Sequence, residues 1–179
     1  LGGGDKKDTP TIGKRIDILG TEADTVADPK LAGISVILPP AATNANWSQP
    51  GGNAAKSPGH SMLAEAPQRA WSAQIAGANN RMRLAATPVV HDGKLYVIDT
   101  DAMVSAFDAT SGSKLWATAL TVDKDGKPSR FGGGVSTDGT SVFATNGVGD
   151  VAALDASTGA IKWTKRPAGP LRGAPTLSN

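Results

Sequence analysis

The side chains that most often carry out chemistry in proteins are scarce in this sequence. It contains no Cys, two His (His60 and His91), and no Glu after Glu65. Without Cys, the chain has no thiolate nucleophile, no disulfide and no Cys-ligated metal. Neither His forms the i, i+4 pair or the His-Glu cluster that a zinc site on a helix requires. We therefore interpret both histidines as surface residues and predict no catalytic residue, no cofactor and no bound metal.

Two glycine-rich stretches raise the question of a phosphate-binding loop. GGNAAKSPGH, residues 51–60, lacks the G-x-x-x-x-G-K-[ST] spacing, and no apolar strand leads directly into it. FGGGVS, residues 131–136, is better interpreted as the start of a strand where a neighbouring backbone comes close. The order of Ser, His and Asp along the chain identifies no nucleophilic triad. These patterns favour a protein that is not an enzyme.

The composition favours many short strands. Of the 179 residues, 39% are hydrophobic and 4% aromatic, while Gly contributes 22 residues and Pro 12. A chain this rich in turn formers is typical of an all-β fold. It has 18 basic and 16 acidic residues and no long run of Lys or Arg, so we predict no nucleic-acid partner. No apolar stretch is long enough to span a bilayer.

The second half of the chain is organised by a repeat. AMVSAFDATSGSKLW, residues 102–116, aligns with GDVAALDASTGAIKW, residues 149–163, at a distance of 47 positions. Upstream, PVVHDGKLYVIDT (88–100) aligns with GVSTDGTSVFATN (134–146). GAPTLSN at 173–179 then resembles AATPVVH at 85–91, the opening of the first unit. The chain therefore holds two whole units and the start of a third.

Each unit is predicted to form four strands. Asp-Gly pairs predict a hairpin after the first strand, and apolar residues alternate along the next two strands. We predict strands near 86–90, 94–99, 103–108 and 114–120, and near 132–136, 141–145, 150–155 and 160–165. Four strands in about 46 residues, repeated, are typical of a blade of a β-propeller.

A motif shared by both units has a structural interpretation. Its members are Asp108, Gly112 and Trp116 in the first unit and Asp155, Gly159 and Trp163 in the second. The Asp side chain accepts hydrogen bonds within the turn, and Gly adopts the positive φ that closes it. The Trp ring fills the gap between neighbouring blades, so we predict that both indoles are largely buried. Recurrence in every blade favours architecture over an acid or metal-ligand role for the Asp.

The domain organisation follows from these patterns. Residues 1–20 are predicted to be a flexible tether, residues 21–70 an irregular segment, and residues 71–179 the propeller blades. Within the last range, we predict a closing outer strand at 71–76, blades at 86–120 and 132–165, and the start of the next blade at 173–179. A closed ring needs about four to eight blades. The piece alone is therefore expected to fold poorly.

The repeated motif resembles that of the quinoprotein-like (PQQ-repeat) β-propellers, A-x-D-x-x-T-G-x-x-x-W. The two copies are AFDATSGSKLW and ALDASTGAIKW, with Ser111 and Thr158 at the Thr position. Within that superfamily the chain is most similar to the BamB family. Four features carry this resemblance: the tether, NWSQPGGN at 46–53, the isolated AWSAQIA at 70–76, and the passage into LAATPVVHDGKLYVID at 84–99.

The resemblance implies an eight-bladed ring and a non-catalytic scaffold of the outer-membrane β-barrel assembly machinery. It implies docking on a POTRA domain of BamA, other machinery subunits as partners, and contact with unfolded outer-membrane proteins. GPLRGAPT at 169–176 matches the family's docking segment in type, which makes Leu171 and Arg172 candidate contacts; an ordinary inter-blade turn is the alternative.

BamB proteins are periplasmic lipoproteins at the inner face of the outer membrane, anchored through a lipidated Cys. Here LGGG stands at residues 1–4 where a lipobox would end in Cys, so these residues do not support lipidation. Any membrane association is expected to depend on such an anchor. The alternative function is a fragment of a PQQ-dependent dehydrogenase, or of another propeller-bearing enzyme or sensor.

Overall fold

A computed structural model of the chain describes residues 28–80, 82–120, 133–167 and 169–178. The chain divides into two compact units, Leu1–Ile37 and Leu38–Asn179. In the first unit the described residues contain one short 3-10 helix, Pro29–Leu31, and the Asp28 carboxylate caps it by accepting from the Lys30 N–H at 2.9 Å. The eight strands of the described residues all belong to the second unit. No helix among the described residues is both long and apolar enough to cross a bilayer.

The strands form two antiparallel sheets of four strands each, in the order β1-β2-β3-β4 and β5-β6-β7-β8. The first sheet contains β1 (Val89–His91), β2 (Lys94–Ile98), β3 (Met103–Asp108) and β4 (Lys114–Ala119). The second contains β5 (Gly133–Thr137), β6 (Ser141–Asn146), β7 (Val151–Asp155) and β8 (Ile161–Lys165). Each strand lies where the sequence predicts one, so the all-β fold of consecutive four-stranded blades is confirmed.

Both sheets carry a bulge at the same place in the repeat. Ala106 pairs with Trp116 while Phe107 pairs with Lys114, so Leu115 is an extra residue in β4. In the second sheet the shift lies between Ala153 and Leu154. A bulge bends its strand and increases the local twist. The repeat therefore reproduces the bend of the outermost strand as well as the strands themselves.

Small and branched apolar side chains fill the space between the two sheets. β5 of the second sheet lies against β1 and β2 of the first. The buried cluster includes Val89, Tyr96, Ile98, Ala102, Val104, Ala106, Leu120, Val135, Val142, Ala144, Ala152, Leu154 and Ala156. Alanines at the sheet centres let the blades approach closely, so one continuous core joins them.

Residues 46–49, here called the strap, lie across the inner edges of both sheets. The backbone N–H and C=O of Trp47 pair with those of Val90 in β1, at 2.7 and 2.9 Å. The Ser48 carbonyl accepts from the Thr137 N–H of β5 at 2.8 Å. The strap belongs to the segment predicted to be irregular, and the described residues from 38 to 70 form only isolated bridges.

The structure differs from the sequence prediction at both flanks of the blades. Residues 71–76, predicted as a closing outer strand, form no strand, and neither do residues 173–178 of the predicted next blade at 173–179. A strand is defined by pairing with a neighbour. No strand among the described residues pairs with either segment, so neither forms part of a ladder.

Candidate functional site

The candidate docking loop, residues 169–172, lies between β8 and the segment that lies beside β5. Leu171 is half-buried and Arg172 is exposed. The Arg172 guanidinium makes no hydrogen bond or ion pair with the described residues. An exposed cation beside a half-buried apolar side chain is a combination suited to contact with a protein partner.

The chain direction determines which turns lie beside this loop. Antiparallel strands in sequence order place the β2–β3 turn, the β6–β7 turn and the connection after β8 on one rim of the blades. We call it the Arg172 rim. The turns that follow β1, β3, β5 and β7 lie on the other rim, which we call the Asp-turn rim. The Asp108 and Asp155 motifs belong to the Asp-turn rim, away from the candidate docking loop.

The segment that follows the loop is fixed to the inner strands by several contacts. The Thr145 hydroxyl donates to the Gly173 carbonyl at 2.7 Å, and the Ser136 hydroxyl donates to the Pro175 carbonyl. A Cβ on Gly134 would lie 2.6 Å from the Cβ of Ala174, so only glycine allows this approach. This close contact agrees with the interpretation of FGGGVS as a strand start near another backbone.

Gln49 of the strap holds the same segment from the other side. Its side-chain amide donates to the Leu177 carbonyl at 3.1 Å and accepts from the Leu177 N–H at 3.0 Å. The Gln49 side chain is buried. A carboxamide paired in this way reproduces the two hydrogen bonds of a β-ladder. Sequence reasoning missed this contact because the two residues are 128 positions apart.

The Asp side chains of the repeated motif organise their own turns. Asp108 Oδ1 accepts from the Ser111 N–H at 2.7 Å, the Ser111 hydroxyl at 2.9 Å and the Thr110 N–H at 3.0 Å. Asp155 accepts the corresponding bonds from Ser157 and Thr158. The Ser111 N–H, followed by its hydroxyl, lowers the pKa of Asp108, and the Thr158 N–H lowers the pKa of Asp155. Both carboxylates serve as hydrogen-bond acceptors in a turn.

The Trp side chains of the motif join each blade to the next. Trp116 Nε1 donates to the Ala156 carbonyl at 3.2 Å, and its ring covers Gly159, where a Cβ would lie 2.5 Å from the ring. Trp71 repeats the arrangement: Nε1 donates to the Ala109 carbonyl at 3.0 Å and the ring covers Gly112. Trp71 therefore takes the place of a blade Trp although residues 71–76 form no strand.

Trp163 is the exception, because its side chain is 41% exposed rather than largely buried. Its ring packs against Phe143 with centroids 6.4 Å apart, but no turn among the described residues covers its outer side. The Trp116 ring is partly buried. Burial of the indole therefore depends on the turn of a following blade and not on the strand that carries it.

The two histidines serve separate local contacts. His60 is exposed, and its Nδ1 lies 2.8 Å from the Pro39 carbonyl. His91 Nδ1 lies 2.8 Å from the hydroxyl of Ser48 in the strap. In GGNAAKSPGH, the Lys56 ammonium donates to the Pro50 carbonyl at 2.7 Å, which stabilises the loop itself. The described residues contain no group of three or more His, Cys, Asp or Glu side chains placed to hold a metal ion.

The sequence analysis did not identify the buried carboxylate of Asp150. Asp150, immediately before β7, is 1% exposed and pairs with Arg166, immediately after β8, at 2.7 Å. A signal was present in the repeat, because the positions 47 residues earlier hold Met103 and Ala119. A departure from the repeat at a buried position marks a feature that the blade architecture alone does not require.

The two sheets, their shared bulge and the Trp-over-Gly contacts define a β-propeller of the PQQ-repeat class. A family model described as outer membrane protein assembly factor BamB matches residues 54–124 and 100–179, and the chain belongs to this family. The BamB of Moranella endobia (strain PCIT) is 28% identical over 119 residues, which cover 63% of this chain and 31% of that protein. The chain thus spans about a third of the length of that relative.

Quinone-dependent dehydrogenases also resemble the chain. The 1-butanol dehydrogenase (quinone) of Thauera butanivorans is 31% identical over 99 residues, covering 54% of this chain and 16% of that enzyme. The crystal structure of the quinohemoprotein alcohol dehydrogenase from Comamonas testosteroni matches with a TM-score of 0.60 and 26% identity, covering 77% of this chain and 22% of that one. Both similarities agree with a shared propeller fold.

Proposed function

We propose that the chain is part of a non-catalytic scaffold of the outer-membrane β-barrel assembly machinery. The observation that carries this proposal is the match to the BamB family model from residue 54 to residue 179, a range that includes the candidate docking loop. In this proposal the protein acts on the periplasmic side of the outer membrane and contributes no catalytic group.

The proposed partner is a POTRA domain of BamA, bound through the Arg172 rim. Two features of the loop support this choice. Leu171 offers half-buried apolar surface, and Arg172 offers an exposed charge without a partner among the described residues. Charges at the edge of an interface mainly guide association, whereas apolar side chains near its centre contribute affinity. Arg172 would therefore guide binding, and Leu171 would hold the complex.

Charge reversal at Arg172 tests the docking role. We expect Arg172→Glu in the full-length protein to weaken binding to the purified POTRA region of BamA about tenfold, mainly through slower association. Biolayer interferometry measures both rates. Lys114→Glu is the matched control, because Lys114 is exposed and lies on the Asp-turn rim. Equal affinity of Arg172→Glu and the natural protein would remove Leu171 and Arg172 from the site.

A quinone-dependent dehydrogenase is the second candidate function. It is favoured by the TM-score of 0.60 at 26% identity to a quinohemoprotein alcohol dehydrogenase. Incubating the full-length protein with pyrroloquinoline quinone and Ca²⁺, followed by an alcohol and an artificial electron acceptor, distinguishes the two functions. The scaffold proposal predicts neither retained quinone absorbance nor turnover. Calcium-dependent turnover would overturn it.

A further inference from the structure

An ion pair whose carboxylate is buried lies between β8 and the candidate docking loop. Arg166, the first residue after β8, donates from Nε to Asp150 Oδ1 at 2.7 Å. The Arg166 side chain is 39% exposed, whereas that of Asp150 is 1% exposed. The cation therefore reaches inwards from the rim to a carboxylate in the interior, where solvent screens their attraction weakly.

The second oxygen of this carboxylate is also satisfied. Asp150 Oδ2 accepts from Asn146 Nδ2 at 2.9 Å, and the Asp150 N–H donates to Asn146 Oδ1 at the same distance. Asn146 Oδ1 also accepts from the Val148 N–H at 3.2 Å, so one amide closes the β6–β7 turn. Asp150 is held rigidly by this turn, and it gives Arg166 a fixed point of attachment.

The other end of the loop is attached to the same hairpin. Thr145, next to Asn146 in β6, donates its hydroxyl proton to the Gly173 carbonyl at 2.7 Å. The candidate docking loop therefore lies between two anchors, Arg166 and Gly173, that both bond to the β6–β7 hairpin. A loop whose ends are fixed on one rigid element loses less conformational entropy when it binds a partner.

The ion pair is specific to the blade that carries the candidate docking loop. In the first blade the corresponding residues are Met103 and Ala119, which pair directly across β3 and β4. That blade forms its four strands without an ion pair at this position. A buried carboxylate costs free energy through desolvation, and an apolar pair would serve the fold as well. Asp150 and Arg166 are therefore not explained by the blade architecture.

We propose that Asp150 and Arg166 are positioning residues that hold residues 169–172 in the conformation in which Leu171 and Arg172 bind the partner. This inference rests on the proposed function. Apparent affinity is the intrinsic affinity multiplied by the fraction of molecules in the competent conformation. Releasing the Arg166 anchor lowers this fraction and weakens binding without removing either contact residue.

Three substitutions in the full-length protein separate anchoring from charge. Arg166→Ala removes both the donor and the charge. Arg166→Gln also removes the charge, but its side-chain nitrogen is as many bonds from the backbone as Arg Nε and can still donate to Asp150. Lys162→Ala is the control, because it removes a cation from β8 at the Asp-turn rim, where Lys162 lies 3.7 Å from Asp155. All three variants change net charge equally.

Binding to the purified BamA POTRA region and amide hydrogen exchange are measured on each protein. We expect Arg166→Ala to weaken binding about tenfold and to speed exchange at Leu171 and Arg172 relative to the amides of β6 and β7. Arg166→Gln should stay within about threefold of the natural protein, and Lys162→Ala should be unchanged. This pattern supports a positioning role.

If amide hydrogen exchange at Leu171 and Arg172 is as slow in Arg166→Ala as in the natural protein, the inference is overturned, whatever the partner is. Equal weakening by Arg166→Ala and Arg166→Gln would also overturn it, since charge alone would then explain the effect. Failure of the natural protein to bind the POTRA region would instead overturn the proposed function. Exchange is measured without a partner, so the two failures are distinguishable.

Discussion

Gly159 meets two separate requirements at one residue. Its φ is +74°, a conformation that side chains rarely adopt, and a Cβ would lie 2.5 Å from the Trp116 ring. Gly93 has a φ of +70° but nothing within 4 Å of the same point. Both glycines have a positive φ, but only Gly159 lies against an aromatic ring. Comparing them therefore separates the cost of backbone strain from the cost of a clash with the ring.

We predict that Gly159→Ala lowers the free energy of unfolding by at least about 3 kcal/mol, because backbone strain and a clash with Trp116 combine. Gly93→Ala should cost about 1 kcal/mol from the backbone alone. Urea denaturation of the full-length protein measures both. Equal losses in the two variants would mean that the indole moves aside and that its contact with the turn is not tightly packed.

Burial keeps the Tyr96 hydroxyl protonated, so that it can donate a hydrogen bond. Its hydroxyl donates to the Ala156 carbonyl at 3.2 Å, and Trp116 Nε1 donates to the same carbonyl. Burial raises the pKa of the Tyr96 phenol, and the negative charges of Asp92 and Asp155 add to the effect. The phenol therefore stays protonated above its ordinary pKa of 10.0 and continues to link the blades.

At the scale of an element, the Asp turns connect stability to pH. Hydrogen bonds from the turn lower the pKa of Asp108 and Asp155 below the ordinary value of 3.8. The folded state therefore binds these protons less tightly than the unfolded state does. The stabilisation is fully present above the unfolded pKa, and it is lost as the pH falls through the lower folded pKa.

We predict that the natural protein loses stability as the pH falls from about 5 to about 2, and that Asp108→Asn/Asp155→Asn flattens this loss. The Asn oxygen accepts the same hydrogen bonds but does not titrate. Urea midpoints measured across this pH range provide the test. Asp101→Asn is the control, because the exposed Asp101 carboxylate makes no hydrogen bond with the described residues. An unchanged slope in the double variant would contradict the prediction.

The sequence predicted the elements better than the contacts between them. Alternation and Asp-Gly turns are local signals, and they place every described strand. The Gln49 contact with Leu177 could not be predicted, because a side chain that imitates a strand leaves no periodic pattern. Trp163 was assigned burial from its motif, but its environment depends on a separate turn. Asp150 could have been noticed in the sequence, because the equivalent position of the first repeat holds Met103.

For the whole molecule, Gln49 joins parts of the chain that lie 128 positions apart. We predict that Gln49→Ala lowers the free energy of unfolding by about 1–3 kcal/mol, because the Leu177 N–H and carbonyl both lose a buried partner. Amide exchange at Leu177 should speed up more than exchange in β6. Thermal or urea melts and exchange of the full-length protein measure the two effects.

Asn53→Ala is the matched control for this substitution. Asn53 is also a carboxamide close to the strap, but it is exposed, and among the described residues its side chain bonds only to Ser57 of its own loop. Its removal should cost less than about 0.5 kcal/mol. Equal losses from the two substitutions would show that the strap does not hold the 173–177 segment, and that β5 and β6 fix it alone.

The Trp contacts also determine the order in which parts of the chain can pack together during synthesis. Trp71 and Trp116 each donate to a carbonyl that lies later in the chain, 38 and 40 positions ahead. During synthesis, each indole can therefore make its contact only after the following turn has been made, so we expect a blade to gain stability when the next one begins. Of these contacts, the one between Gln49 and Leu177 forms last, because Leu177 is synthesised after both sheets. We therefore expect the first described blade to consolidate before the second, and the strap to bind Leu177 last.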